Sequence, residues 1–391
     1  MSLQKTLLLL PFLLGLNICY SYAQKAEDNA IVQIVYTSDA HYGIKRSNFR
    51  GDHDVSGNLV NAAMISKINT LSKLYFPADS GVKNSQPIAY IDYLIESGDI
   101  TNRMEIPVQS SALSWSQFKT DYMQGLKLKN QHNMPTQLLL LPGNHDISNA
   151  IGHGKLMKPL TDPTAMVGIY NLMLKPDLPK TNASYNYATD KVHYSFDVKG
   201  IHLMFVNLWP DSAERIWMQK DLQNISATTP VIIFTHDQPT CEAKHFTNPH
   251  SPQHVKPGSK FENLTAEHYK GDVSDKAKDG STDIEQLGWV TFLKQHPNIK
   301  AYFHGNSNWN EYYVYKGPEN NVNLDVFRVD SPMKGRDSAS NETLLSFQLI
   351  AIDTQNQLLT VRECLWNTEP LNPSKHIVFG KSKTISLMVT E

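Results

Sequence analysis

Five short stretches of this chain carry Asp, His and Asn where they can converge. They are Ser38-Asp39-Ala40-His41-Tyr42-Gly43, Glu96-Ser97-Gly98-Asp99, Gly143-Asn144-His145-Asp146, Thr235-His236-Asp237 and Phe303-His304-Gly305-Asn306-Ser307-Asn308. Each follows a short apolar run, and in α/β sheets ligands gather outside the carboxyl ends of the strands. The set offers carboxylate and carboxamide oxygens with imidazole nitrogens and no thiolate. That chemistry suits two first-row divalent ions better than a structural zinc. Two such ions about 3.5–4 Å apart, sharing a carboxylate, can clamp both ends of a phosphoryl displacement. Taken singly, each stretch reads equally well as a turn, a helix cap or a surface histidine. The fixed order after successive strands is what gives the set its meaning.

The elements that must position these residues follow from periodicity. Ile31–Thr37 is apolar and rich in β-branched residues, as in a buried strand. Further strands are expected at 89–95, 138–141, 231–235 and 299–304, and a hairpin at 193–198 and 202–206 around Lys199-Gly200. Helical patterns occupy 59–74, 110–126, 213–222 and 284–294. Strands at 326–329, 344–352, 358–363 and 384–389 close the chain. Helices alternating with strands, then strand pairs, argue for an α/β protein with mixed sheets. Long polar loops are expected at 43–58 and 237–281.

Composition narrows the partners. The 391 residues are 40% hydrophobic and 19% charged, which suits a packed globular protein. With 36 Lys+Arg against 38 Asp+Glu, the formal net charge is −2, giving no footprint for a nucleic-acid polymer. Lys5, the apolar run 7–16 and Ser21-Tyr22-Ala23 have the layout of an export signal over residues 1–23, so a secreted or periplasmic protein without a membrane span is expected. Residues 24–391 then form a single domain, with its motif core over about 31–310 and C-terminal strands over 324–391. Of three cysteines, Cys241 and Cys364 remain after signal removal, and spacing does not decide whether they pair. The Asn-x-Ser/Thr sequons at Asn182, Asn224, Asn263 and Asn341 decide nothing without a host. Neither a Walker loop nor a Gly-x-Ser-x-Gly elbow is present, which leaves ATP-driven and serine-hydrolase functions unsupported.

Together the stretches resemble the calcineurin-like metallophosphoesterases, whose pattern runs D-x-H, G-D, G-N-H-D/E, a lone H and G-H-x-H. The first four match letter for letter. The resemblance implies an α/β sandwich of two mixed sheets flanked by helices. It implies that Asp39 and His41 bind one metal, that Asp99 bridges two, and that Asn144 and His236 bind the second. It gives His145 the phosphoryl group and makes Asp146 its orienting partner. The implied cofactors are two divalent ions drawn from Mn, Fe, Zn or Mg, and the implied partner is a small phosphorylated substrate. A water between two cations loses its proton readily, and the hydroxide can attack phosphorus in line. His145 can stabilise the developing charge or protonate the leaving oxygen. Arg103 offers a guanidinium fork to a phosphate oxygen, or is a solvated surface arginine. Asn102 stands where purple acid phosphatases carry a tyrosinate, so that subgroup is not expected.

The last motif departs from the pattern, because Gly305-Asn306-Ser307-Asn308 replaces G-H-x-H. By position Asn306 faces the second metal and Asn308 the first. Carboxamide oxygen is harder and a weaker donor than imidazole, so weaker metal binding or a preference for Mn²⁺ or Mg²⁺ over Zn²⁺ is expected. His304, or one of His245, His250 and His254, is an alternative source of nitrogen. Trp309 and the tyrosines after it can stack on a nucleobase or pack the sheet. The reading is a phosphomonoester or phosphodiester hydrolase. The alternative is a non-catalytic phosphate- or nucleotide-binding protein on the same scaffold.

Overall fold

The computed structural model describes residues 30–101, 109–148, 163–186, 189–242 and 281–389. The export signal, Arg103, His245, His250 and His254 lie outside these residues. Two six-stranded mixed sheets face each other. The first has the order β14-β13-β12-β1-β4-β5 and the second β10-β11-β9-β8-β7-β6. In the first, β1 (Ile31–Thr37), β4 (Tyr93–Glu96) and β5 (Gln137–Leu140) run parallel. The strands β12 (Ser346–Asp353), β13 (Leu358–Leu365) and β14 (Val378–Ser386) extend it antiparallel, so chain far beyond the last motif pairs directly with β1. In the second, β7 (Ile201–Phe205), β8 (Val231–Phe234), β9 (Ile299–His304) and β11 (Leu324–Arg328) are parallel. The strands β6 (Tyr194–Val198) and β10 (Glu311–Tyr315) form its antiparallel edges.

Alternation divides the core. Val32, Ile34 and Tyr36 of β1 enter the layer between the sheets, while Val35 faces the other way into the cluster with the helices. Four phenylalanines, one each from β7, β8, β9 and β11, stack across the second sheet. Phe205, Phe234, Phe303 and Phe327 have successive ring centroids 5.2, 4.9 and 4.8 Å apart. Tyr36 crosses from the first sheet to meet Phe234 and Phe303 at 5.7 and 5.4 Å. This ladder sits immediately before the loops that carry His236 and Asn306, and aromatic packing of this kind fixes strand ends. On the outer faces, α1 (Gly57–Ile68), α2 (Ser111–Phe118) and α4 (Thr164–Leu174) gather beside the first sheet, and α5 (Ser212–Leu222) contacts α6 (Ser281–Gln295).

Expected strands and helices recur, although α1 stops at Ile68 and α2 at Phe118, short of the expected 74 and 126, and β14 begins at Val378 rather than 384; the Lys199-Gly200 turn has the positive φ values, 50° and 81°, of a mirror-image hairpin turn. Other parts differ. The stretch 43–58 is not a loop throughout but contains the hairpin β2 (Lys45–Phe49) and β3 (Asp52–Ser56), closed by Arg50-Gly51 at φ 54° and 89°. Its strands are polar and mostly exposed, so no apolar alternation marks them. Asn144–Ser148 forms a short helix, α3, rather than a turn. Helix α4 and strand β10 were also not anticipated. Cys241 and Cys364 are free and buried, and burial pushes both thiols up. Among the described residues no helix is long and apolar enough to cross a membrane.

Candidate metal centre

The loops after β1 and β4 continue the parallel pairing of their strands. Asp39 N donates to Gly98 O, His41 N to Asp99 O and Tyr42 N to Ile100 O, each at 2.8 Å. This carries Asp39, His41 and Asp99 into one buried volume. Asp39, His41, Asp99, Asn306 and Asn308 all have φ between 45° and 64°. Asp, Asn and His tolerate that left-handed region better than other non-glycine residues, which is one reason these types can occupy such sharp loop tips. Gly98 and Gly143 let the β4 and β5 loops touch. A Cβ on Gly143 would stand 2.1 Å from Asp99 N and 2.2 Å from Asp99 Oδ1.

Two groups of three potential ligands share Asp99, namely Asp39–Asp99–His236 and His41–Asp99–His145. Asp99 Oδ1 lies 3.5 Å from His236 Nε2 and accepts from His145 N at 2.7 Å. Its Oδ2 lies 3.6 Å from His41 Nε2 and 3.8 Å from His145 Nε2. Burial alone would raise this carboxyl, but His145, His236 and His41 hold it well below its usual range. From the second sheet, His236 Nδ1 donates to Ser97 O at 2.9 Å, which turns Nε2 toward Asn144 Oδ1 at 3.1 Å. A fixed second nitrogen of this kind is how ligating histidines are oriented. Asn306 N donates to Asp39 Oδ2 at 2.8 Å, tying the last motif to the first.

The donor set fits a pair of divalent cations. Asp39 Oδ1, both ring nitrogens of His41 and Asn308 Oδ1 are buried without a hydrogen-bond partner, although buried polar atoms normally have one. Asp39 Oδ1 and His41 Nε2 face each other at 3.5 Å, outside hydrogen-bond geometry. Burial, reinforced by Lys334, disfavours charging of His41, so its ring stays neutral as a ligand requires. Burial also opposes charging of His236, yet Asp99, Asp39 and Asp237 raise it to about 10. A proton therefore sits where a cation would.

The structure brings Asp39, His41, Asp99, Asn144, His145 and His236 together and places Asn306 and Asn308 beside them. It reassigns Asp146. The expected bond to the His145 ring is not made. Instead Asp146 Oδ1 accepts from Thr101 N and Oγ1 at 2.9 and 3.1 Å, and Oδ2 from Gly143 N and Ile100 N at 2.9 and 3.1 Å. Burial and the nearby Asp99 raise this carboxyl to about 6, and the bonds it accepts staple the Asp99 loop to the Asn144 turn. His304 supplies no nitrogen to the cluster. Its Nδ1 donates to Gly305 O at 3.0 Å and its Nε2 accepts from Tyr313 OH at 3.1 Å. Asn306 commits its amide nitrogen to Asp237 Oδ1. Lys334, which the motifs did not reveal, places Nζ 3.3 Å from His145 Nε2.

The sequence model of calcineurin-like phosphoesterases matches residues 32–330. No curated protein matches the chain. Among solved structures, it is similar to a dimetal phosphatase from Danio rerio, at 9% identity over 92% of this chain and 100% of that one, with TM-score 0.46. It is also similar to Chaetomium thermophilum Vps29, at 7% identity over 92% and 97%, with TM-score 0.31. The calcineurin-like phosphoesterase YfkN from Bacillus subtilis aligns at 11% identity over 92% of each chain, with TM-score 0.28.

Because a cation must displace the His236 proton, metal association should tighten with rising pH, by about tenfold per unit below the histidine's raised value if one proton leaves. Calorimetric titration in buffers of different ionisation enthalpy should show that proton; a pH-independent affinity with no release would contradict the assignment. Asp146→Asn should weaken metal binding by about 10- to 100-fold, as loss of a supporting contact does. If the variant kept its metals and lost only turnover, Asp146 would act on His145 after all.

Proposed function

Since the chain belongs to the calcineurin-like phosphoesterase family, which typically binds two divalent metals, we propose that it hydrolyses phosphomonoesters or phosphodiesters. The observation that carries the reading is that buried Asp99 turns Oδ1 toward His236 and Oδ2 toward His41, at 3.5 and 3.6 Å. Asp39, His41, Asp99 and Asn308 would hold one cation; Asp99, Asn144, His236 and Asn306 would hold the other. Cations held there would supply Lewis-acid activation of water and neutralisation of charge at phosphorus.

The chain's own residues do the rest. Asp99 offers one oxygen to each group. Ser97 O keeps His236 Nε2 directed into the site. His145, 13% exposed where His41 is at 1%, is the histidine a substrate reaches. Its Nε2 is placed to hydrogen-bond a phosphoryl oxygen or to pass a proton to the leaving oxygen. The layout of residues 1–23 supports an exported enzyme. The second reading, a phosphate binder without turnover, draws on Asn306, whose amide is already bonded to Asp237.

Protein loaded with Mn²⁺, Mg²⁺ or Zn²⁺ should hydrolyse p-nitrophenyl phosphate or bis-p-nitrophenyl phosphate, and Asp99→Asn should reduce the rate to background. Wild-type inactivity with every metal, joined by a large gain in the Asn306→His/Asn308→His double variant, would favour the binding protein.

A further inference from the structure

A loop beyond the motifs brings a cation to the same opening. After β11 the chain turns through Ser331-Pro332-Met333-Lys334-Gly335-Arg336-Asp337-Ser338. This loop is clasped at several points. Arg46 of β2 is buried and donates to the carbonyls of both Pro332, at 3.0 Å, and Ser338. Ser331 Oγ donates to Asp39 O at 2.9 Å and accepts from Lys334 N at 2.9 Å. Arg336 N donates to Asn308 O at 2.6 Å. The loop is thus bonded to residues of the first and last motifs, and its lysine is delivered on backbone those bonds have already fixed. A group held this way loses little freedom on binding, which is the physical advantage of preorganisation.

We propose that Lys334 binds a phosphoryl oxygen beside His145 and biases the site toward dianionic phosphomonoesters. The proposal rests on the phosphoesterase reading. Lys334 Nζ and His145 Nε2 are 3.3 Å apart, and an ammonium only donates, so the imidazole accepts in this arrangement. An oxyanion seated against both atoms takes the ammonium's hydrogen bond in place of the imidazole, whose Nε2 faces the anion in its protonated form, and charge-assisted bonds of that kind are the strong ones. A terminal phosphoryl group with two negative charges gains more from an added cation than a diester with one. Recognition on this side is by charge rather than by base stacking. Guanidinium carbons of Arg328 and Arg336 lie 3.7 and 3.8 Å from the Trp309 ring centre. A base could stack on this indole only in competition with the guanidinium groups already there.

The test is calorimetric titration of the Mn²⁺-loaded protein with inorganic phosphate and with dimethyl phosphate, at mildly alkaline pH where phosphate is mostly a dianion. Lys334→Met should keep the wild-type metal content and unfolding temperature. It should bind phosphate about tenfold or more weakly, the size of a lost charge-assisted hydrogen bond, with a much smaller change for dimethyl phosphate. Lys334→Arg should recover most of the affinity. Equal phosphate affinity in wild type and Lys334→Met would overturn the assignment. Equal losses for both anions would overturn the dianion preference. A Lys334→Met protein that loses its metals would make the lysine structural and overturn it as well. Wild-type protein that binds neither anion would overturn the phosphoesterase reading together with this inference.

Discussion

The structure is organised around one buried carboxylate. Asp99 is 2% exposed and held at φ 55°, in the left-handed region. A lone ionised carboxylate in such a place is costly, and it persists only if other groups carry the opposite charge or donate to it. The His236 imidazole, charged by its acidic neighbours and 3.5 Å away, and the His145 amide at 2.7 Å do this for the ion-free protein. The same geometry presents one carboxylate oxygen to each of two ligand groups. The charge that makes the loop tip unfavourable in isolation is therefore the charge that would draw cations to it.

Keeping Asp99 there requires contributions from both sheets. The first sheet supplies the parallel backbone pairing of the β1 and β4 loops and the glycine contact between the β4 and β5 loops. Asp146, bonded to three backbone amides and a hydroxyl, acts as a staple within that sheet's loops. The second sheet supplies His236, aligned through Ser97 O, and the Asn306 amide bond to Asp39. The stacked phenylalanines and Tyr36 set the distance between the sheets just below these loops. Chain beyond the family match contributes as well, since β12 pairs with β1 and Ser331 bonds to the Asp39 carbonyl.

Much of this was legible in the sequence, and for a physical reason. Buried parallel strands are continuous apolar runs, so β1, β8 and β9 announce themselves. The residues immediately after them are then placed at strand ends, where Asp39, His236 and Asn306 stand out. What the sequence did not disclose depends on contacts distant in the chain. The role of Asp146 is set by which backbone amides point at it, 45 and 46 residues away. Lys334 reaches His145 across 189 residues, from a loop with no motif of its own. Arg46 reads as a surface residue because its hairpin is polar, yet it is buried holding carbonyls 286 and 292 residues away. The GNSN variant marked a departure from the motif, but only coordinates show that Asn306 commits its nitrogen to Asp237 while Asn308 Oδ1 is left as an acceptor.

The most direct test of the account is anomalous diffraction at the metal edges from crystals grown with Mn²⁺. It predicts two peaks about 3.5–4 Å apart, each within bonding distance of a different Asp99 oxygen, one nearer His41 and the other nearer His236. A single ion bound without Asp99, or two ions seated elsewhere, would contradict it.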